Sequence, residues 1–388
     1  SLNYYENGEA RTSSLTKPLR LYSRNAITWD DTRKIANFIT YKDEPVEDFK
    51  AAITSDFKDR KAAALNPNVL KALKLWDALG AYGVKFAANP SNPFETAHDD
   101  PNFPVDYTQY PRETLQRRTG QCSDLTSLYA ALLEDSEVRV ALLDYPGHIT
   151  LMFDTEADDP AEAGLPPDLL VPHDGSMWLP VEVTYVGKPF SEAVSKAAYA
   201  YKAEQEKGRV KIVEVEKAFE EYEPVTMPPS DFTPVLPDAG ALEKTYDEQV
   251  GVLAKNRYEY LKYLYGEELR KDAKDVDAEL QLGIAEYQFG GRKAAAADFS
   301  KVLELDPGNA SALNNLAGVA FIEGDYRTAE KDYLKAADVD ASDGDIWLNL
   351  TKTAAKLKKA DKAREYGAKA VALTPGYKPF VDDLVDGL

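Results

Sequence analysis

One cysteine, three histidines and three methionines stand among 388 residues, and each scarcity removes a class of function. A single thiol cannot build an intramolecular disulfide framework, and three scattered histidines offer no zinc spacing. Basic residues are outnumbered 46 to 66, which leaves a formal charge of −20. Such a surface repels phosphate backbones, so nucleic acid is not an expected partner. No uninterrupted apolar run approaches the length of a bilayer span, so no transmembrane segment is expected. Neither a cofactor nor a metal is expected. The chain starts at Ser1 with no initiator methionine and no signal sequence. That start fits either a processed, exported protein (periplasmic or cell-surface) or a trimmed chain, and it leaves the compartment open.

What is present suits globular domains: 44% of residues are apolar and 11% aromatic, within the usual range. The length predicts two or three domains. The sharpest boundary is "YEPVTMPPSDFTPVLPDAG", residues 222–240, with five prolines. Proline removes backbone donors and disfavours helix just before it, so this stretch predicts an extended linker. Residues 241–275 follow as a connecting helix, with Leu242, Tyr246, Val250, Leu253, Leu261 and Leu264 at helical spacing.

A repeat of period 34 occupies the rest. Leu282, Leu316 and Leu350 align, as do Ala295, Ala329 and Ala363, then Val302, Ala336 and Ala370. Pro307, Ala341 and Pro375 close the units, and Phe299 and Tyr333 share a position where the third unit has Gly367. Over residues 276–377 this register resembles the tetratricopeptide repeat, whose units are pairs of antiparallel helices. The resemblance implies an all-α solenoid over 276–388, three repeats and a C-terminal cap, docking a protein or peptide partner on its concave face.

The N-terminal half predicts a mixture. Residues 30–60 and 66–89 read as helices, and Val69, Leu73, Trp76 and Leu79 share one face. Residues 137–154 and 176–186 read as strands. Helices, a central helix and then antiparallel strands make an α+β arrangement. The acidic, Pro- and Gly-rich insert at 156–175 reads as a solvated loop, with a cleft-edging or lid role as the alternative.

The lone thiol sits in "RRTGQCSDLTSLYAALLE", residues 117–134, where Cys122, Leu125, Leu128, Tyr129 and Leu132 form a helical stripe. Cys122 therefore falls in the first turn of a helix, whose free N–H groups and dipole favour a thiolate and could hold an oxyanion. Taken alone, a cysteine on an apolar helix face is a small hydrophobe. A nucleophile also needs a base and a group to orient it. "DYPGHITLMF" supplies His148 at the start of a strand, and "WLPVEVTYVG" supplies Glu182 between Val181 and Val183 on a strand. Alternation puts Glu182 opposite both valines. His98 and His173 lie in "ETAHDDPNF" and "VPHDGSMW" and read as surface loop residues.

Gly120-Gln121-Cys122, Gly147-His148 and Glu182-Val183-Thr184, with the lead-in "DYTQYPRETLQRRTG", resemble the transglutaminase-like superfamily, relatives of papain-type cysteine proteases. The resemblance runs over about residues 66–200. It implies a catalytic helix packed on an antiparallel sheet, with Cys122 as nucleophile, His148 as base and Glu182 as its orienting acid. Glutamate stands where the superfamily commonly has aspartate, one methylene shorter. The implied organisation is a helical extension (1–65), a catalytic domain (66–221), the linker (222–240), the connecting helix (241–275) and the repeats (276–388). The implied activity is attack on a carboxamide or peptide bond of a protein or peptide through a thioacyl-enzyme, completed by water or by an amine. The alternative is a non-catalytic interaction scaffold built on the same fold.

Overall fold

The computed structural model describes residues 2–14, 22–55, 65–88 and 105–386. The chain packs as two compact units: Ser1–Asp56, Lys74–Phe153 and Pro180–Leu242 form the first, and Phe57–Leu73, Asp154–Leu179 and Glu243–Leu388 the second.

In place of one helix over 30–60 there is a 3₁₀ segment, Thr32–Phe38, and a separate α-helix, Glu44–Thr54. Pro45 suits the break: proline is favoured in the first turn of a new helix and lacks the N–H that a helix running through it would need. Asp43, at the break, is buried and paired with Arg112, whose Nε lies 2.6 Å from Asp43 Oδ2. The next helix, Pro67–Tyr82, stops short of residue 89 because Gly83 takes φ +92°, the left-handed conformation that ends many helices. Helix Pro111–Arg117 leads to the central helix, Cys122–Glu134. The expected apolar stripe is only part of its burial, since residues 122–133 are buried on every side.

Five strands form one sheet in the order Lys211–Glu214, Val140–Tyr145, His148–Ala157, Ser176–Val181, Val171–His173. Val140–Tyr145 pairs antiparallel with both of its neighbours, and Val171–His173 pairs antiparallel with Ser176–Val181. In the first unit Trp76 meets Tyr129 and Phe190 edge-on at 5.6 and 5.9 Å and donates from Nε1 to the Lys188 carbonyl at 2.8 Å. That contact set ties the central helix to the chain just beyond Glu182.

Residues 223–238 have no regular secondary structure. Their first half is held on the first unit: Val225 N–H donates to the Asn37 carbonyl at 3.0 Å, and Arg112 Nη1 to the Pro228 carbonyl at 2.8 Å.

In the second unit the insert is no solvated loop. It contains a short helix, Pro160–Ala163, a 3₁₀ turn, Pro167–Leu169, and the strand Val171–His173. Ala163, Leu165, Leu170 and Val171 are buried, which an acidic average composition hides. Helix Ala239–Lys271 precedes three helix pairs, Val276–Gln288/Arg292–Leu305, Ala310–Ile322/Tyr326–Val339 and Gly344–Lys356/Ala360–Leu373. The aligned alanines Ala295, Ala329, Ala336, Ala363 and Ala370 are fully buried. Gly367 has a steric reason: a Cβ there would lie 2.5 Å from Val381 Cγ1 of the last helix, Lys378–Asp386. The aromatic of that unit is Tyr366, 5.9 Å from the Trp347 ring.

Candidate functional site

Gln121 caps the central helix in extended conformation, which makes Cys122 its first residue. Three residues into the cap, Asp124 turns back as a capping carboxylate. Its Oδ2 accepts from Gln121 N–H at 2.9 Å and from Gln109 Nε2 at 2.7 Å, and its Oδ1 accepts from Gln109 N–H at 2.7 Å. Burial raises the Asp124 carboxyl above its usual value, although these hydrogen bonds oppose it. The arrangement also explains the glycine two residues before the thiol. A Cβ on Gly120 would lie 2.7 Å from Asp124 Cβ, so only glycine lets the cap close. Cys122 itself is 7% exposed. A cleft of about 440 Å³ has Asn25, Tyr107, Gln109, Arg117, Gln121 and Asp124 in its walls, and Cys122 is not among the residues that line it.

His148 opens its strand after a two-residue turn in which Gly147 has φ +77°, the proline–glycine pairing that suits a type II turn. Its ring stacks on Tyr145 at 6.2 Å and 23°. Nε2 lies 2.8 Å from Glu182 Oε2, and Cys122 is near enough to act on the titration of the ring. With Nε2 taken by the carboxylate, Nδ1 is the nitrogen left for sulfur. Burial alone pulls the imidazole pKa down. Cys122 and then Glu182 outweigh it and push His148 up to about 10.

Glu182 is not on the strand that the sequence pattern predicts. It follows the strand Ser176–Val181, caps the 3₁₀ turn Val183–Tyr185, and is 4% exposed. A carboxylate with this burial needs partners. Oε2 has His148, while Oε1 accepts from Thr184 N–H at 3.1 Å and Thr184 Oγ1 at 2.6 Å. Burial raises its pKa, but the His148 and Thr184 contacts prevail and hold it below the usual carboxylate value.

Three threonines align these groups: Thr126 and Thr150, buried and missed by sequence reasoning, and the half-buried Thr184. One helical turn beyond Cys122, Thr126 Oγ1 donates to the Ile149 carbonyl at 3.2 Å, pinning the helix beside His148. Thr150 Oγ1 donates to the Val181 carbonyl at 2.5 Å and accepts from Val183 N–H at 3.2 Å, so it grips both neighbours of Glu182. Thr184 fixes the carboxylate itself. The signal available in sequence was spacing alone: Thr126 at i+4 from the thiol, Thr150 and Thr184 each at i+2 from a candidate, and Asp124 at the third position of the cap.

His98 lies outside the described residues. His173 is on a strand, half-buried, with its ring edge-on to Trp178 at 5.4 Å, and is not the surface loop residue expected. Asp144, the nearest other acid before His148, is hydrogen-bonded by Thr32. Among the described residues no group of three or more His, Cys, Asp or Glu side chains could hold a metal ion. No described helix is long and apolar enough to cross a membrane.

Two solved structures, "Crystal structure of MamA" and "Crystal structure of MamA protein", resemble the chain at TM-scores of 0.31 and 0.28 and identities of 19% and 21%. The alignments cover 39% of this chain and 82% of the first, and 36% and 73% for the second. Among curated proteins none matches the chain. The tetratricopeptide repeat family matches residues 280–345 and 323–378. The helix pairs counted in the sequence at period 34 are therefore tetratricopeptide repeats, at the C-terminal end of a chain whose preceding part mixes helix and sheet.

Proposed function

We propose that the protein is a transglutaminase-like cysteine enzyme whose repeats dock a protein or peptide partner. The observation that carries this reading is the His148 ring, hydrogen-bonded at 2.8 Å to the buried Glu182 carboxylate and electrostatically coupled to Cys122. In the proposed reaction the proton of the Cys122 thiol is already held on the imidazolium of His148, and Sγ attacks a carboxamide or peptide carbonyl carbon as a thiolate. N–H groups at the start of the central helix, that of Cys122 among them, stabilise the developing oxyanion. His148 returns the proton to the departing ammonia or amine, leaving a thioester on Cys122. Water or a second amine then attacks the thioester; His148 takes its proton and gives it back to sulfur. Glu182 holds the imidazole in the required tautomer and stabilises the imidazolium.

A second reading has its own support. The family match lies wholly within the repeats, and such arrays characteristically present concave surfaces to protein partners. On that reading the first unit is a binding fold and the protein a scaffold. The two separate in one assay: full-length protein with glutamine-bearing peptides, followed for ammonia release and peptide cleavage, with and without a primary amine. Turnover that Cys122→Ala abolishes supports the enzyme, and the amine dependence distinguishes transfer from hydrolysis. Peptide binding by both proteins without turnover in either supports the scaffold.

A further inference from the structure

Tyr145 and His148 are cross-strand partners on either side of the Pro146-Gly147 turn, so their side chains leave the same face of the hairpin. The two rings lie 23° from parallel with centroids 6.2 Å apart, within the range in which aromatic pairs attract. Tyr145 is 3% exposed, whereas the His148 side chain keeps 30% of its surface and that of Glu182 keeps 6%. Water therefore reaches the imidazole from a side other than the tyrosine's. The phenol also feels the carboxylate: burial first, then the charge of Glu182, with smaller effects of Tyr201 and Glu204, push the Tyr145 pKa above its usual value. One buried ring thus borders both members of the His148–Glu182 pair.

The Tyr145 hydroxyl is buried and makes no hydrogen bond. A buried hydroxyl without a partner costs the fold its desolvation, so the contribution of Tyr145 lies in its ring. Two effects follow from the stacking. An imidazole turning about its Cβ–Cγ bond must pass edge-on to the stacked ring, so Tyr145 opposes a flip that would undo the 2.8 Å bond from Nε2 to Glu182. The ring also excludes water, which would compete for the carboxylate and weaken a charge-assisted hydrogen bond. Both effects preserve the orientation that a base needs to serve one nucleophile.

We infer that Tyr145 is a positioning residue for His148: its ring, and not its hydroxyl, fixes the imidazole plane and keeps water from the His148–Glu182 bond. The inference rests on the reaction proposed above for its catalytic meaning, and on the packing alone for the contact. Its test is NMR of the full chain, isotope-labelled in its histidines, beside acylation by p-nitrophenyl acetate. In wild type the Nε2–H proton of His148, assigned by its absence from His148→Ala, should exchange slowly with water. Tyr145→Phe removes only an unpaired hydroxyl, so exchange and acylation should stay within about twofold of wild type, with no loss of stability to urea. Tyr145→Met fills the space without a ring; the proton should exchange at least about tenfold faster, and the acylation step should slow at least about tenfold with KM unchanged. Circular dichroism checks folding, and if Tyr145→Met does not fold, wild type and Tyr145→Phe decide. Rapid exchange in wild type, impairment of Tyr145→Phe, or a folded Tyr145→Met indistinguishable from wild type would overturn the assignment. A protected proton that Tyr145→Met exposes, in a wild type that acylates no faster than His148→Ala, supports the contact and counts against the enzyme reading alone.

Discussion

Replacing Glu182 by glutamine keeps the shape of the side chain and removes the charge that faces His148. The carboxylate accepts a 2.8 Å hydrogen bond from the ring. A hydrogen bond to a charged group contributes about 1.5–3 kcal/mol, and one pKa unit corresponds to about 1.36 kcal/mol. His148 should therefore fall from about 10 by roughly one to two units. Glu182→Asp keeps the charge at shorter reach and should lower it less. The sign of the stability effect follows. A histidine whose folded pKa is raised to about 10 from its ordinary 6.5 stabilises the fold fully below 6.5 and loses that contribution as pH rises through 10. Wild type should thus exceed Glu182→Gln most below pH 6.5, and the difference should close toward pH 10. Titration of the imidazole C–H signals by NMR reads the pKa directly, because the chain has three histidines. Wild-type His148 titrating near 6.5, or a value unmoved in Glu182→Gln, would refute the reasoning.

Further outcomes follow from the same geometry. Cys122→Ala should also lower the His148 pKa, because Cys122 is among the groups that raise it; the same NMR titration measures this. Thr150→Val leaves the Val181 carbonyl and Val183 N–H without their partner, so urea unfolding should show a loss of about 1–3 kcal/mol, restored by Thr150→Ser. Gly120→Ala forces a methyl against Asp124 and should cost about 1–3 kcal/mol in the same experiment. Arg112→Met strands the buried Asp43 at a cost of about 3–5 kcal/mol. By removing the bond to Pro228 it should also speed proteolysis within 223–238.

The repeats were legible because small residues recur every 34 positions, and Ala295, Ala329 and Ala363 stand where helices touch most closely. The order Cys122, His148, Glu182 was legible as three residue types at element boundaries. The setting of Glu182 was not. Period-two alternation assumes that the strand continues, whereas it ends at Val181 and Glu182 caps a 3₁₀ turn. Nor could composition reveal the insert, whose few apolar residues, Leu165, Leu170 and Val171 among them, are buried while its many acids are not. Thr126 and Thr150 are ordinary strand and helix residues until the partners of their hydroxyls, distant in sequence, are known.

The central claim is that His148 activates Cys122 toward an acyl group. The most direct measurement is the rate of Cys122 acylation by p-nitrophenyl acetate at neutral pH, read by stopped-flow release of nitrophenolate and by intact mass. The account predicts a burst of one acetyl per chain, located at Cys122, and its loss in His148→Ala while the circular dichroism spectrum is unchanged. Acylation of the folded wild type no faster than that of His148→Ala would contradict it.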